Sequence, residues 1–295
     1  MKKVGFVGLV GSPNAGKSSI LNAIFQEKIA IVSDKVQTTR DAIKGIYNDQ
    51  EAQIVFIDTP GFHKPQNQLQ VYMNKQIENT LLDLDLLIYV LDAKYGLGKK
   101  EQRNLKRIRE LKNLKKIAII NKIDLIDEKK LNEIYNQLEE EQLFDMILPI
   151  SVLKFFDVKQ FINLIKKELP TGYQFYEDDA LVDYTHEFYI EEIVREKLFL
   201  NTHQEVPHSV AINIYDIEKE KNKWFIMIDI IVERDSQKGI IIGKNGSNIK
   251  KIGTLARKEL EKKLNLKIYL DIKVKVVKKW NQEERELNKL GYELN

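Results

Sequence analysis

The chain has 295 residues, 43% of them hydrophobic and 31% charged, with a formal net charge of +3. This composition describes a globular protein long enough for two cores, with no apolar run near the roughly 18 residues that cross a bilayer. The absence of cysteine excludes disulfides and thiolate metal sites and suits a cytoplasmic protein. Charge is placed unevenly: between Lys238 and Lys279 thirteen Lys and Arg stand against three Asp and Glu, the sign that suits a polyanionic partner.

In chain order, Val4 to Val10 reads as a strand and not as a targeting segment, because no small-residue cleavage pattern follows it. It runs into Gly11-Ser12-Pro13-Asn14-Ala15-Gly16-Lys17-Ser18, and the residues from Ser18 and Ser19 onward have helical spacing. GxxxxGK(S/T) between a strand and a helix is a phosphate-binding loop. Its glycines let backbone N–H groups converge on phosphate oxygens, and the helix N-terminus adds partial positive charge. Lys17 is expected to reach the β- and γ-phosphates and Ser18 to ligate Mg²⁺.

Gln37-Thr38-Thr39-Arg40-Asp41 lies where a nucleotide switch needs a threonine hydroxyl that meets Mg²⁺ only when the γ-phosphate is present, and either Thr38 or Thr39 can serve. The apolar strand Ala52 to Ile57 ends in Asp58-Thr59-Pro60-Gly61. Asp58 is placed to hold the magnesium through water, and Gly61 to offer its N–H to the γ-phosphate. Phe62 then stands where many GTPases carry a water-orienting glutamine, so hydrolysis is expected to be slow or to use another device.

Further apolar strands at 86 to 93 and 116 to 120 alternate with helical segments, which predicts an α/β fold: a doubly wound, mostly parallel sheet. The latter strand ends in Asn121-Lys122-Ile123-Asp124. A carboxylate at the last position can accept from guanine N1–H and its exocyclic amine together, a pair adenine does not offer. Lys122 would lie along the purine, and Asn121 would tie this loop to the phosphate loop. Ser151-Val152-Leu153 follows another apolar strand and is similar to the fifth guanine-contacting loop, with valine where alanine is usual. These motifs make GTP and GDP the expected ligands.

The helical pattern from Asp157 stops at Leu169-Pro170-Thr171-Gly172, which places a GTPase domain at 1–172, a linker at 173–185 and a second domain at 186–295. There a helix near 186–200 is followed by strands near 209–217 and 223–234, joined by the charged spacer EKEKN. The stretch GIIIGKNGSNIKKIG, residues 239–253, is not a second phosphate loop. It lacks GxxxxGK(S/T), and the only acids that follow before Leu270 are Glu259 and Glu261, expected to be exposed. It reads instead as a GxxG clamp between two helices, of the kind that grips about four single-stranded nucleotides. Gly243 and Gly246 give clearance, and Lys244 supplies charge without base preference. After it, Ile249, Ile252, Leu255, Ala256, Leu260 and Leu264 keep the spacing of a core face, while Lys250 and Lys251 fall outside it. The final strand alternates Ile268, Leu270, Ile272, Val274 and Val276 against Lys273 and Lys275. His63, His186, His203 and His208 have no metal-ligand spacing.

GSPNAGKS, QTTR, DTPG, NKID and the C-terminal VERDSQKGIIIGKNGSNIKKIG with a late Trp280 together resemble the Era family of bacterial ribosome-assembly GTPases over essentially the whole chain. The resemblance implies a Ras-like GTPase domain followed by a type II KH domain. It implies binding to the 3′ region of 16S ribosomal RNA and a part in maturation of the 30S subunit. It further implies a monomer in the cytoplasm with peripheral association at the inner face of the cell membrane. It favours Thr39 over Thr38 at the magnesium and puts Ile242, Gly243, Lys244, Asn245 and Gly246 in the RNA groove. Asn245 stands where glycine is common in that loop. Asn14 is similar to an asparagine that in some such GTPases coordinates potassium, so K⁺ joins Mg²⁺ as an expected cofactor. Lys17, Asn14, Thr39 and Gly61 are the expected catalytic set. A second reading, an RNA-binding factor holding GTP as a structural ligand with little turnover, draws on Phe62.

Overall fold

A computed structural model describes residues 1–33, 35, 38–202 and 206–293, apart from the side chains of Pro207 and His208. Gln37, His203 and the side chain of His208, all named from the sequence, lie outside the described residues. The chain divides into two units. The first holds Met1–Val32, Thr39–Lys64 and Met73–Asp183, and the second Ser33–Thr38, Pro65–Tyr72 and Tyr184–Asn295.

The first unit is built on β1 (Lys2–Gly11), α1 (Lys17–Phe25), β2 (Ile43–Asn48), β3 (Ala52–Asp58), α2 (Gln68–Leu82, whose first residues belong to the second unit) and β4 (Leu86–Asp92). It continues with α3 (Lys99–Glu110), β5 (Lys115–Asn121), α4 (Glu128–Glu140), β6 (Met146–Pro149), α5 (Val158–Glu168) and the short β7 (Thr171–Gly172). The strand order is β2-β3-β1-β4-β5-β6, with β7 paired to β1. β1, β3, β4, β5 and β6 run parallel, while β2 is antiparallel to β3 and β7 to β1. Every residue of β3 and of β4 is buried, which is why their sequences are mostly apolar and not alternating, with Gln53, Asp58 and Asp92 as the polar exceptions. Asp127 and Asp157 cap α4 and α5 by accepting from Lys130 N and Gln160 N, satisfying N–H groups that a helix start leaves orphaned.

The polar stretch after Gly172 is tied to this sheet. Gln53, fully buried on β3, accepts from Phe175 N and Tyr176 N at 2.6 and 3.0 Å and donates to Tyr176 O at 2.9 Å. Ile46 N donates to Leu181 O, Val182 bridges Gly45, and Lys44 pairs with Asp183 at 2.9 Å. Residues 175–183 thus cover the free edge of β2, giving an otherwise open strand edge its partners.

The second unit contains α6 (His186–Asn201), β8 (Val210–Glu220), β9 (Lys223–Val232), α7 (Asp235–Ile242), α8 (Ser247–Leu264), β10 (Lys267–Val276) and α9 (Glu284–Lys289). Its sheet has the order β10-β9-β8, with β10 parallel and β8 antiparallel to β9. Ile226, Ile228, Ile230 and Val232 of β9 form its core with Ile252, Ala256 and Leu260 of α8 and Ile268 of β10. Leu255, expected in that core, is exposed instead. It stands about a third of a turn from the centre of the stripe that Ile252, Ala256 and Leu260 define, so the helix rotates it to solvent. Glu259 and Glu261 are not free surface acids either: Glu259 pairs with Lys197, and Glu261 accepts from Ile268 N at 3.2 Å.

Candidate nucleotide site and nucleic-acid groove

At the C-terminal ends of β1, β3, β4 and β5 four loops meet. The first, residues 11–18, needs backbone shapes that side chains resist: Gly11 has φ 147° and Gly16 φ 105°. A Cβ on Gly11 would fall 2.2 Å from Val90 O, and one on Gly16 2.2 Å from Asn121 Nδ2. Asn14 also takes a left-handed φ of 63°. Three of the loop's carbonyls are held by other segments. Asn121 Nδ2 donates to Ala15 O at 2.8 Å, Lys122 Nζ to Asn14 O at 2.7 Å, and Phe62 N to Gly11 O at 3.0 Å. The loop thus forms a candidate anion cradle at the start of α1, with the N–H groups of Gly16 to Ser19 as its expected donors, while Ala15 N donates to Ser12 O at 3.3 Å.

Lys17 lies in this cradle, its ammonium donating to Ser12 O at 3.0 Å and Gly11 O at 3.3 Å. Burial lowers its pKa to about 8, against the upward pull of Asp58 and Glu101. A bound phosphate stabilises the ammonium and raises that pKa, so nucleotide affinity is full below about pH 8 and lost as pH rises above it. In metal-free buffer GDP affinity is therefore expected to fall by up to about tenfold per pH unit above 8. Calorimetric titration between pH 7 and 9.5 measures this, and a flat profile would exclude it.

The side chains expected at magnesium converge. Ser18 Oγ lies 2.5 Å from Asp58 Oδ2 and 3.2 Å from Thr39 Oγ1. Asp58 is fully buried, its Oδ1 accepts no hydrogen bond, and burial raises its pKa to about 6. A buried carboxylate oxygen left open beside two hydroxyls is a donor set that fits a hard, oxygen-seeking dication. Thr38 is turned elsewhere, its Oγ1 2.7 Å from both Ser33 Oγ and Lys35 O. Gly61 approaches the first loop so closely that a Cβ there would meet Pro13 N at 2.4 Å. Phe62 is buried in an apolar cluster with Tyr89, Leu105 and Ile108, with the Arg107 guanidinium 5.6 Å from its ring centre.

The base-side loops are joined through Asn121, whose Oδ1 accepts from Lys122 N at 2.8 Å and Val152 N at 3.3 Å. Lys122 Nζ also pairs with Asp92 at 2.7 Å. Asp124 accepts from Ser151 Oγ at 2.6 Å and pairs with Lys154 at 3.3 Å; these two hold its carboxyl below the usual range. Leu153 is exposed at the rim. Asp92 and Lys154 are additions to the sequence-derived set; the signal available for them is an acid ending a buried strand and a lysine ending the fifth loop.

In the second unit the loop between α7 and α8 puts Gly243 at φ 72° and ψ 176°, Asn245 at φ 51° and Gly246 at φ 75°. Ile242 is half-buried, while Lys244, Asn245, Lys250 and Lys251 line the exposed side of the loop and of α8. Beside it a groove of about 430 Å³ runs between α8 and β10, floored by Ile249, Gly253 and Ile272 and rimmed by Lys250, Arg257 and Tyr269. β10 lies at the edge of its sheet, so its outer backbone groups have no strand partner among the described residues. Apolar floor, cationic rim, free strand edge and glycine loop together suit a single nucleic-acid strand: bases inside, phosphates along the glycines. Arg257 and Tyr269 are likewise additions to the residues chosen from sequence. Among the described residues no group of three His, Cys, Asp or Glu side chains forms a further metal site.

Comparison with known proteins finds the same two domain types. Residues 6–122 match the family model of the 50S ribosome-binding GTPases, and residues 205–281 that of the KH domain. The GTPase Era of Fusobacterium nucleatum is 44% identical over 292 residues, covering 98% of this chain and 99% of that protein. The GTPase Era of Thermotoga maritima is 46% identical over 285 residues, covering 96% and 94%. Among solved structures, Era in complex with MgGDPNP and nucleotides 1506–1542 of 16S ribosomal RNA superposes with a TM-score of 0.95 at 35% identity over the full length of both chains. A tyrosine-to-alanine variant of Aquifex aeolicus Era bound to GDP·AlF4⁻ gives a TM-score of 0.94 at 35% identity, covering 99% of this chain and 100% of that one.

Proposed function

The chain belongs to the Era family of GTPases, and from that premise we propose that it is a GTP-hydrolysing switch that binds 16S ribosomal RNA near its 3′ end and assists maturation of the 30S subunit. The observation that carries this reading is the pairing, on one chain, of a phosphate loop tied to the Asn121–Asp124 loop with a basic GxxG groove. The cradle's N–H groups and Lys17 hold the phosphates, Asp124 reads guanine, and Lys122 supports both loops. Ser18, Thr39 and Asp58 would hold the magnesium ion, which when bound neutralises charge on the phosphate oxygens. Nucleotide state is expected to alter RNA affinity through residues 26–41 and 58–75, which hold or adjoin the magnesium-side residues in sequence. The test compares binding of a 3′-terminal 16S fragment in GDP and in a non-hydrolysable GTP analogue; equal affinity would refute the switch.

Phe62 cannot orient an attacking water by hydrogen bonding, so hydrolysis needs another device. We propose that a potassium ion provides it, held in part by the Asn14 amide, whose neutral oxygen is a donor type a monovalent cation accepts. Turnover is expected to be on the order of tenfold faster in potassium than in sodium, and equal in the two salts for Asn14→Ala. Equal wild-type rates would exclude the ion. The buried Phe62 also favours a second reading, GTP as a structural ligand, for which turnover stays negligible even with 30S particles added. We place the protein in the cytoplasm as a monomer, with any membrane contact peripheral; no described helix is long and apolar enough to cross a membrane.

A further inference from the structure

Glu101, in the first turn of α3, is a buried carboxylate outside all five guanine-nucleotide motifs. It accepts hydrogen bonds from the Ser12 hydroxyl of the phosphate loop and from the Tyr89 hydroxyl of β4. Asn104 Nδ2 donates to the same carboxylate at 3.2 Å and to Ser12 Oγ at 3.1 Å. All four side chains are buried, so each bond is made away from competing water.

The rest of the loop is held by its backbone. Asn121 and Lys122 hold the carbonyls of its second half, Ala15 and Asn14. In its first half, the Gly11 carbonyl takes bonds from Phe62 N and Lys17, and the Ser12 carbonyl from Lys17 and Ala15 N. Lys17 is also the cation that a phosphate engages, so the first half leans on a donor for which the nucleotide competes. The bond from Ser12 to Glu101 is independent of that competition, because it uses the side chain and points to α3.

We propose that Glu101 is a positioning residue for nucleotide binding: through Ser12 it ties the first half of the phosphate loop to α3 and keeps the cradle formed while Lys17 serves the phosphates. The proposal rests on the nucleotide site described above and adds to it a residue that acts through another and does not touch the ligand.

The experiment is a double-mutant cycle in the full chain, read by displacement of a fluorescent GDP and by kcat and KM for GTP. Glu101→Gln keeps an oxygen that can accept from Ser12 but removes its charge, so GDP release is expected to rise severalfold, the difference between a charged and a neutral acceptor, with KM moving more than kcat. Ser12→Ala removes the bond outright and should release GDP about tenfold faster, and the double variant should be no faster than Ser12→Ala, since the bond that Glu101→Gln weakens is already gone. Tyr89→Phe removes only the hydroxyl bonded on the other side of the carboxylate and should release GDP near the wild-type rate. Multiplying effects in the double variant, or acceleration by Tyr89→Phe equal to that of Glu101→Gln, would show a carboxylate that supports the core and not the loop, and would overturn the proposal. So would a Glu101→Gln protein with lowered melting temperature and unchanged GDP release. A wild-type chain that failed to bind the fluorescent GDP would instead remove the nucleotide-site reading itself.

Discussion

The Asp124→Asn protein is expected to lose GTP affinity by about a thousandfold and to accept xanthosine triphosphate in its place. The carboxylate meets two donors on guanine, N1–H and the 2-amino group. An asparagine offers one carbonyl and one NH₂, and the NH₂ facing the 2-amino group leaves a donor against a donor. Xanthine carries a carbonyl at that position, so the mismatch becomes a hydrogen bond. The magnitude depends on the carboxylate being fixed and ionised before the base arrives. Ser151 Oγ at 2.6 Å and Lys154 at 3.3 Å do both, and together they hold its pKa below the usual carboxylate range. Lys154 is itself largely exposed, so Lys154→Ala is expected to weaken GTP only severalfold at most. Competition of GTP and xanthosine triphosphate against a fluorescent GDP measures the switch. Equal GTP affinity in wild type and Asp124→Asn would remove Asp124 from the base site.

What can be read from sequence divides along a physical line. The phosphate loop is legible because its spacing is imposed by backbone geometry: Gly11 and Gly16 occupy positive-φ conformations, and a side chain at either would strike a neighbouring strand or loop. The β-strands that carry it are legible because burial on both faces leaves them mostly apolar, as in β3 and β4. β2 is not; IKGIYN is short and lies at the sheet's edge, where the apolar signal is weakest. Residues 173–183 look like a linker by composition, and their order comes from distant partners: the buried amide of Gln53, more than 120 residues earlier, and the edge of β2. Glu101 is invisible for the same reason. It sits in GKKEQRN, a run that reads as solvated helix, and its burial follows from a partner 89 residues away. Residues whose role depends on local backbone shape are written in the local sequence, and residues whose role depends on a distant partner are not.

The Gly243→Asp protein is expected to bind the 16S fragment at least about a hundredfold more weakly while retaining GTP binding. Two effects act together. Gly243 holds φ 72° with ψ 176°, a conformation that side chains rarely adopt, and a Cβ there would lie 2.8 Å from Asn248 Cβ and 3.0 Å from Asn248 N. Any side chain must therefore shift the start of α8, at a cost of about 1–3 kcal/mol in local strain. The aspartate further sets a negative charge where the groove is built to receive phosphates, between Lys244 and the lysines at 250 and 251. The two contributions separate by salt and by side chain. Gly243→Ala carries the strain alone and should show a smaller loss with an unchanged dependence on salt. Gly243→Asp should show the larger loss and a shallower salt dependence, because fewer cations are left to release counterions from the RNA. At Gly246 a Cβ meets nothing within 4 Å, so Gly246→Ala tests the cost of a positive φ without a clash and should fall between wild type and Gly243→Ala. Fluorescence anisotropy over a salt series reads all four proteins, with GDP binding as the check on the first unit. RNA affinity unchanged in Gly243→Asp would mean that the strand does not pass over the glycines, and the groove beside α8 and β10 would need another ligand.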